Sequence, residues 1–249
     1  MKRTVVSTAF LASFLLSSLV GFAQSQSRSD ILKEIKAKRA EVDALEELYI
    51  LPSEEDRLRY AEFLQLPDTG IIRLLPRERF DSAMYKDIRK SMQIRGGGAY
   101  YSFLRRTHEY GYGSDLSLER NLFQTGFAGA DYGMLTDIGD VAIENVMPDN
   151  KAVYALGSYR AAREEQVARN EYQKLGKGAE INGTHVCSRV PVKLNSTYLL
   201  RSINFLRSDV LVAFKVVRID SDGSATLVWK IIKKFSAPKL NSQEPTVIG

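Results

Sequence analysis

The chain has 249 residues, with 35 basic and 30 acidic side chains and a net charge of +5. That small excess over a nearly balanced surface does not argue for nucleic acid, and the length suits one large domain or two small ones. A single cysteine, Cys187, excludes an internal disulfide, so packing has to hold the core.

Lys2 and Arg3 precede an apolar stretch from Val5 to Val20, and Gly21-Phe22-Ala23 places small residues just before Gln24. That order is the pattern of a secretory signal peptide cut near Ala23. Cleavage leaves 33 basic and 30 acidic residues, net +3. Gln24-Ser25-Gln26 has no lipidation cysteine, and no later segment approaches the roughly 20 apolar residues of a membrane span. The expectation is a secreted or periplasmic protein with no transmembrane segment in the mature chain.

Residues 24–29 read as a polar linker and Asp30–Ile50 as a helix. Ile31, Ile35, Val42, Leu45 and Tyr49 recur at three- and four-residue spacings, with Lys38 as a polar gap. Flanked by Glu34, Arg39, Glu41 and Glu46, this stripe resembles a coiled-coil seam, although it covers fewer than three heptads. An amphipathic helix lying on its own domain is the alternative. Leu51-Pro52-Ser53 predicts a turn with Ser53 as N-cap. Glu54, Glu55 and Asp56 follow where the helix dipole favours negative charge. This second helix is expected to reach about Leu66 and stop at Pro67, giving a helical hairpin over residues 24–69.

From Ile71 the pattern turns to short strands. Ile71–Leu75 reads as a strand, Phe80–Met92 as a short helix and Ala99–Thr107 as an aromatic-rich strand. Leu116, Leu118 and Leu122 alternate with Asp115, Ser117, Glu119 and Asn121, which predicts a strand with the carboxylates on its wet face. Tyr132–Ile138 continues the alternation. Residues 158–175 read as a helix closed by Gly176 and Gly178. Tyr198–Leu206, Val210–Ile219 and Ala225–Phe235 read as three strands. The middle one, apolar on both faces apart from Lys215, is expected to be central. Asp220–Ser224 is the expected hairpin loop, with Gly223 at positive φ.

The fold class that follows is α+β: an N-terminal helical hairpin, an antiparallel β-sheet curled towards a barrel or sandwich, and one helix packed across it. The expected β domain covers residues 70–237, with a disordered tail over 238–249.

Catalytic signatures are missing from the sequence. His108-Glu109 begins like a zinc-protease motif, but Tyr112 stands where the second ligand is needed, and glycines surround it. Asp220-Ser221-Asp222-Gly223 lacks the later ligands of a calcium loop, and there is no nucleophile elbow. Cys187 reads as a small buried apolar strand residue, with a nucleophile or an intermolecular bridge as the alternative, and no cofactor or metal is expected. The sequons at Asn182 and Asn195 matter only on a eukaryotic export route.

The region with the composition of a ligand groove runs from Arg95 to Asp140. There Tyr101, Tyr110 and Tyr112 supply flat faces, while Arg105, His108 and Asp131 supply charge and hydrogen bonds. The alternative is ordinary cross-strand packing of aromatics. Asp115 and Glu119, about 13 Å apart by strand rise, are too distant to act as a glycosidase pair without a partner such as Asp131 or Asp137.

Three functions stay open. One is an exported, soluble, non-catalytic binding or interaction protein of the cell envelope or extracellular space. Another is a hydrolase of an envelope polymer using carboxylates from Asp115 to Asp137. The third is a structural homo-oligomer assembled through the Asp30–Ile50 helix.

Overall fold

The computed structural model describes residues 27–80, 98–108, 113–127 and 129–241. The signal-peptide segment, the expected helix from Phe80 to Met92 beyond its first residue, Tyr110 and Tyr112 lie outside the described residues. The chain divides into two compact units, Met1–Val42 and Asp43–Gly249. The boundary falls inside helix α1 (Arg28–Ile50), which has no buried residue. None of the helices among the described residues is long and apolar enough to cross a membrane.

Helix α2 (Glu54–Arg59) starts as expected, with the Ser53 hydroxyl accepting the Asp56 N–H at 3.1 Å. It ends at Arg59, well short of Leu66. A single 3-10 turn at Phe63–Gln65 follows, which lets Phe63 pack with Ile143 and Val228. Burial of that ring outweighs the helical preference of the intervening residues.

The second unit is built on two antiparallel sheets. The larger, in the order β1-β11-β10-β9-β5, comprises β1 (Thr69–Leu74), β5 (Tyr132–Asp137), β9 (Thr197–Asn204), β10 (Ser208–Ile219) and β11 (Ala225–Phe235). Strand β10 is central, as its two apolar faces predict, and Gly223 in the β10–β11 loop has φ 86°. The smaller sheet has the order β2-β3-β4-β8. Its strands are β2 (Tyr100–Tyr101), β3 (Leu116–Glu119), β4 (Leu122–Gln124) and β8 (Arg189–Pro191). A separate hairpin pairs β6 (Ala179–Ile181) with β7 (Thr184–Val186).

The two sheets share one core. Tyr101, Leu116, Leu118, Phe123 and Val190 of the smaller sheet cluster with Leu200, Val212, Phe214, Leu227 and Trp229 of the larger. This is a sandwich-like arrangement, and among the described residues no closed barrel forms. A short helix α3 (Arg77–Phe80) follows β1, and the opposite face of the larger sheet, through Leu199, Ile203, Leu211 and Ala213, packs with helices α4 (Lys151–Ser158) and α5 (Glu165–Lys177).

Several expected elements are corrected. Only Tyr100 and Tyr101 of the expected strand 99–107 are extended. Phe103–Arg106 forms a turn closed by the Ser102–Thr107 bridge, because the Asp115 carboxylate captures the Phe103 N–H at 2.8 Å. The alternation from Leu116 to Leu122 spans a hairpin: Arg120 and Asn121 have φ of 51° and 59°, the turn geometry that matches strand twist. In place of one helix over 158–175 there are α4 and α5. The chain between them is held extended where the Ala162 N–H donates to the Tyr132 hydroxyl at 2.9 Å. The start of the expected tail is pinned: Leu206 N–H donates to Pro238 O at 2.9 Å and Asn241 N–H to Arg163 O at 2.7 Å.

Candidate functional site

Of the residues singled out in the aromatic region, four lie among the described residues: Tyr101, Arg105, His108 and Asp131. Tyr101 is buried in the inter-sheet core, edge-on to Phe103 at 5.2 Å and to His108 at 5.1 Å. Burial pushes the Tyr101 hydroxyl well above the usual phenol range. His108 Nε2 donates to Arg73 O at 3.0 Å, and burial lowers its basicity more than this bond raises it. Arg105 is exposed, with its guanidinium against Gly113. Asp131 is buried elsewhere, accepting the Phe205 N–H at 2.8 Å. Tyr101 and His108 are thus brought together, as packing partners. Among the described residues, none of Tyr101, Arg105, His108 and Asp131 lines the cavities of about 200, 380 and 820 Å³.

The expectation that Asp115 lies on a wet strand face is overturned. Asp115 is fully buried and sits just before β3, accepting hydrogen bonds from Phe103 N–H and, at 3.0 Å, from Asn204 Nδ2. Desolvation raises its pKa to about 6 against the opposing pull of these donors and of Ser202 and Ser102. The carboxylate ties the turn before β3 to the β9–β10 corner. Asp137 accepts from Gly139 N–H at 2.9 Å and from Lys193 Nζ at 3.0 Å. Among the described residues, no group of three His, Cys, Asp or Glu is placed to hold a metal ion. Cys187 is half-buried, pairs with Leu135 outside the regular strands and donates its thiol to Arg189 O at 2.8 Å. Burial raises its pKa and suppresses the thiolate.

Glu119, by contrast, belongs to a cavity. Register partners across the smaller sheet place Tyr100, Ser117, Gln124 and Arg189 side by side on one face, opposite the core. Directly paired residues in antiparallel strands share a face, so these four form a line across all four strands. That line floors a pocket of about 200 Å³ also lined by Arg77, Glu119, Phe127 and, from α5, Tyr172. Arg77 donates to Glu119 at 3.0 Å, and its guanidinium lies over the Tyr100 ring at 5.7 Å. Tyr100 in turn meets Phe127 edge-on at 5.4 Å.

The pocket therefore offers guanidinium donors, a carboxylate acceptor, an amide that does both, and aromatic walls. Two arginines and one glutamate leave it with one net positive charge. Such alternation suits a compact ligand with several hydroxyl groups. Thr125, next to Gln124, has a buried hydroxyl with no hydrogen-bond partner. It is packed so tightly against Gly133 that a side chain there would collide with it.

The pocket was hard to foresee because its four floor residues are spread from position 100 to 189. Only strand register joins them, and residues 187–191 are what bring Arg189 there. Cys187 pairs with β5 of the larger sheet, and two residues on the chain enters the smaller sheet as β8. The available signal was the polar set Ser117, Glu119 and Gln124 on the outward side of a hairpin. No protein-family model matches this chain, and neither a curated protein nor a solved structure does.

Proposed function

We propose that this chain is an exported, non-catalytic binding protein of the cell envelope or extracellular space. Its outward pocket on the four-stranded sheet would take one polyhydroxylated unit, such as a sugar residue. The observation that carries this reading is the line Tyr100, Ser117, Gln124 and Arg189, a row of polar groups on the face turned away from the core. Export is supported by the basic start, apolar stretch and small-residue site from Lys2 to Ala23.

Hydrolysis has less support, since Asp115 is closed off from solvent and Asp131 holds a backbone N–H. Calorimetric titration with a panel of monosaccharides tests the binding reading. A saturable signal lost in Gln124→Ala and Arg189→Ala supports it. No signal with any sugar, or a signal unchanged in both variants, counts against it.

A second reading rests on α1. Ile31, Leu32, Ile35, Val42, Leu45 and Leu48 are all at least 40% exposed on this helix. Helices draw most of their stability from packing such a stripe, which favours self-assembly through this seam with a second copy of the chain. Val42→Asp with Leu45→Asp would lower the native mass if that reading holds and leave it unchanged if it does not.

A further inference from the structure

The polar side chains of the pocket on the smaller sheet fall into two sets, those already engaged and those still available. Arg77 and Glu119 are engaged with each other at 3.0 Å, and Arg120 approaches the same carboxylate at 3.9 Å. Arg77 is also held over the Tyr100 ring. Among the described residues Glu119 is the one carboxylate that lines the pocket, so its charge is neutralised from within.

Ser117, Gln124 and Arg189 form the second set. Among the described residues none of their side chains has a hydrogen-bond or ion-pair partner. They stand in register on three neighbouring strands, Ser117 opposite Gln124 and Gln124 opposite Arg189. With strands about 4.8 Å apart, a guanidinium begins the row, an amide follows, and a hydroxyl closes it about 10 Å from the start. Glu119 is two residues along β3 from Ser117, about 7 Å to one side of the row.

We propose, resting on the reading of this pocket as a site for one polyhydroxylated unit, that the unit is a sugar acid. Its carboxylate is taken by Arg189 and its ring hydroxyls by Gln124 and Ser117. Seating a neutral ring there would strip water from the Arg189 guanidinium and return only neutral hydrogen bonds, about half as strong as charge-assisted ones. A carboxylate instead meets the guanidinium fork with two parallel bonds. Gln124 both donates and accepts, as a hydroxyl does. The one net positive charge of the pocket also matches a carboxylate better than the nearly double charge of a phosphate monoester.

Calorimetric titration of the chain with glucuronate and with glucose, at about 0.05 M salt, is the test. Glucuronate is expected to bind at least about tenfold more tightly than glucose. Arg189→Gln should abolish that preference, so that the two sugars bind alike. Gln124→Ala should weaken both by the same factor and keep the preference, because it touches only the hydroxyls. Glucuronate that binds no more tightly than glucose, or a preference that survives in Arg189→Gln, overturns the sugar-acid assignment while the sugar reading stands. Tighter binding of glucose 6-phosphate than of glucuronate overturns it as well, and so does acetate that displaces glucuronate at equal concentration. If none of the sugars binds, the sugar reading and this inference fall together.

Discussion

On the inner face of the four-stranded sheet, Tyr101, Leu118 and Phe123 are locked among Tyr198, Phe214 and Trp229. On the outer face, Tyr100, Ser117, Gln124 and Arg189 line a polar hollow. Phe123 and Gln124 are consecutive residues that point opposite ways, so β4 serves the core with one residue and the candidate site with the next. The same separation holds for the two carboxylates of this region. Asp115 has been absorbed into the scaffold, where it braces a turn, whereas Glu119 stays beside the pocket, paired with Arg77. Asp115 lies just before β3, outside the paired register, and its burial sets its role.

The largest expected effect is on the inner face. Phe123 makes edge-on contacts with Tyr198 and Phe214 at 5.4 and 5.1 Å. Phe123→Ala should cost about 3–5 kcal/mol, read as a drop in the denaturation midpoint. A loss under about 1 kcal/mol would mean the sheets do not share this core.

Asp115→Asn comes next, at about 1–3 kcal/mol, because an amide cannot accept from all the donors that the carboxylate holds. Its pH dependence is the sharper readout. The folded pKa of about 6 stands above the value of about 3.9 in the unfolded chain. Stability from this group is therefore full below about pH 4 and lost as the pH rises to about 6. The wild type should exceed Asp115→Asn by more at pH 4 than at pH 7, and a gap that widens with pH would refute the burial argument.

A smaller, opposite effect is expected at Thr125. Thr125→Val removes a buried hydroxyl that lacks a partner and should stabilise by on the order of 1 kcal/mol. Destabilisation would show that the hydroxyl is satisfied in solution. The smallest change is expected from Gln124→Ala, within about 0.5 kcal/mol of wild-type stability, even as sugar binding is lost.

Much of the larger sheet was legible. The alternation in Ala225–Phe235 gave that strand's limits, and the two-sided apolarity of Val210–Val217 gave its central place. These signals are local and repeat over many residues. The short elements were less readable. The hairpin at Arg120-Asn121 uses no glycine, and α4 begins at an Asn150 cap that no long periodic stretch announces. The site was least readable of all. Of the aromatic-rich stretch between Arg95 and Asp140, Tyr101 lies on the buried side of the small sheet, and composition cannot say which face a tyrosine occupies. Tyr100 and Tyr101 are adjacent, yet the first lines the pocket and the second lies in the core.

The central claim is that the outer face of the small sheet is a binding surface and the inner face is scaffold. Amide chemical-shift mapping of the chain, titrated with the monosaccharide panel, tests it most directly. The account predicts saturable shifts at Ser117, Gln124, Gly126 and Arg189, with the amides of Arg160 and Arg163 unmoved. Shifts confined to residues outside the pocket, or none at all, would contradict it.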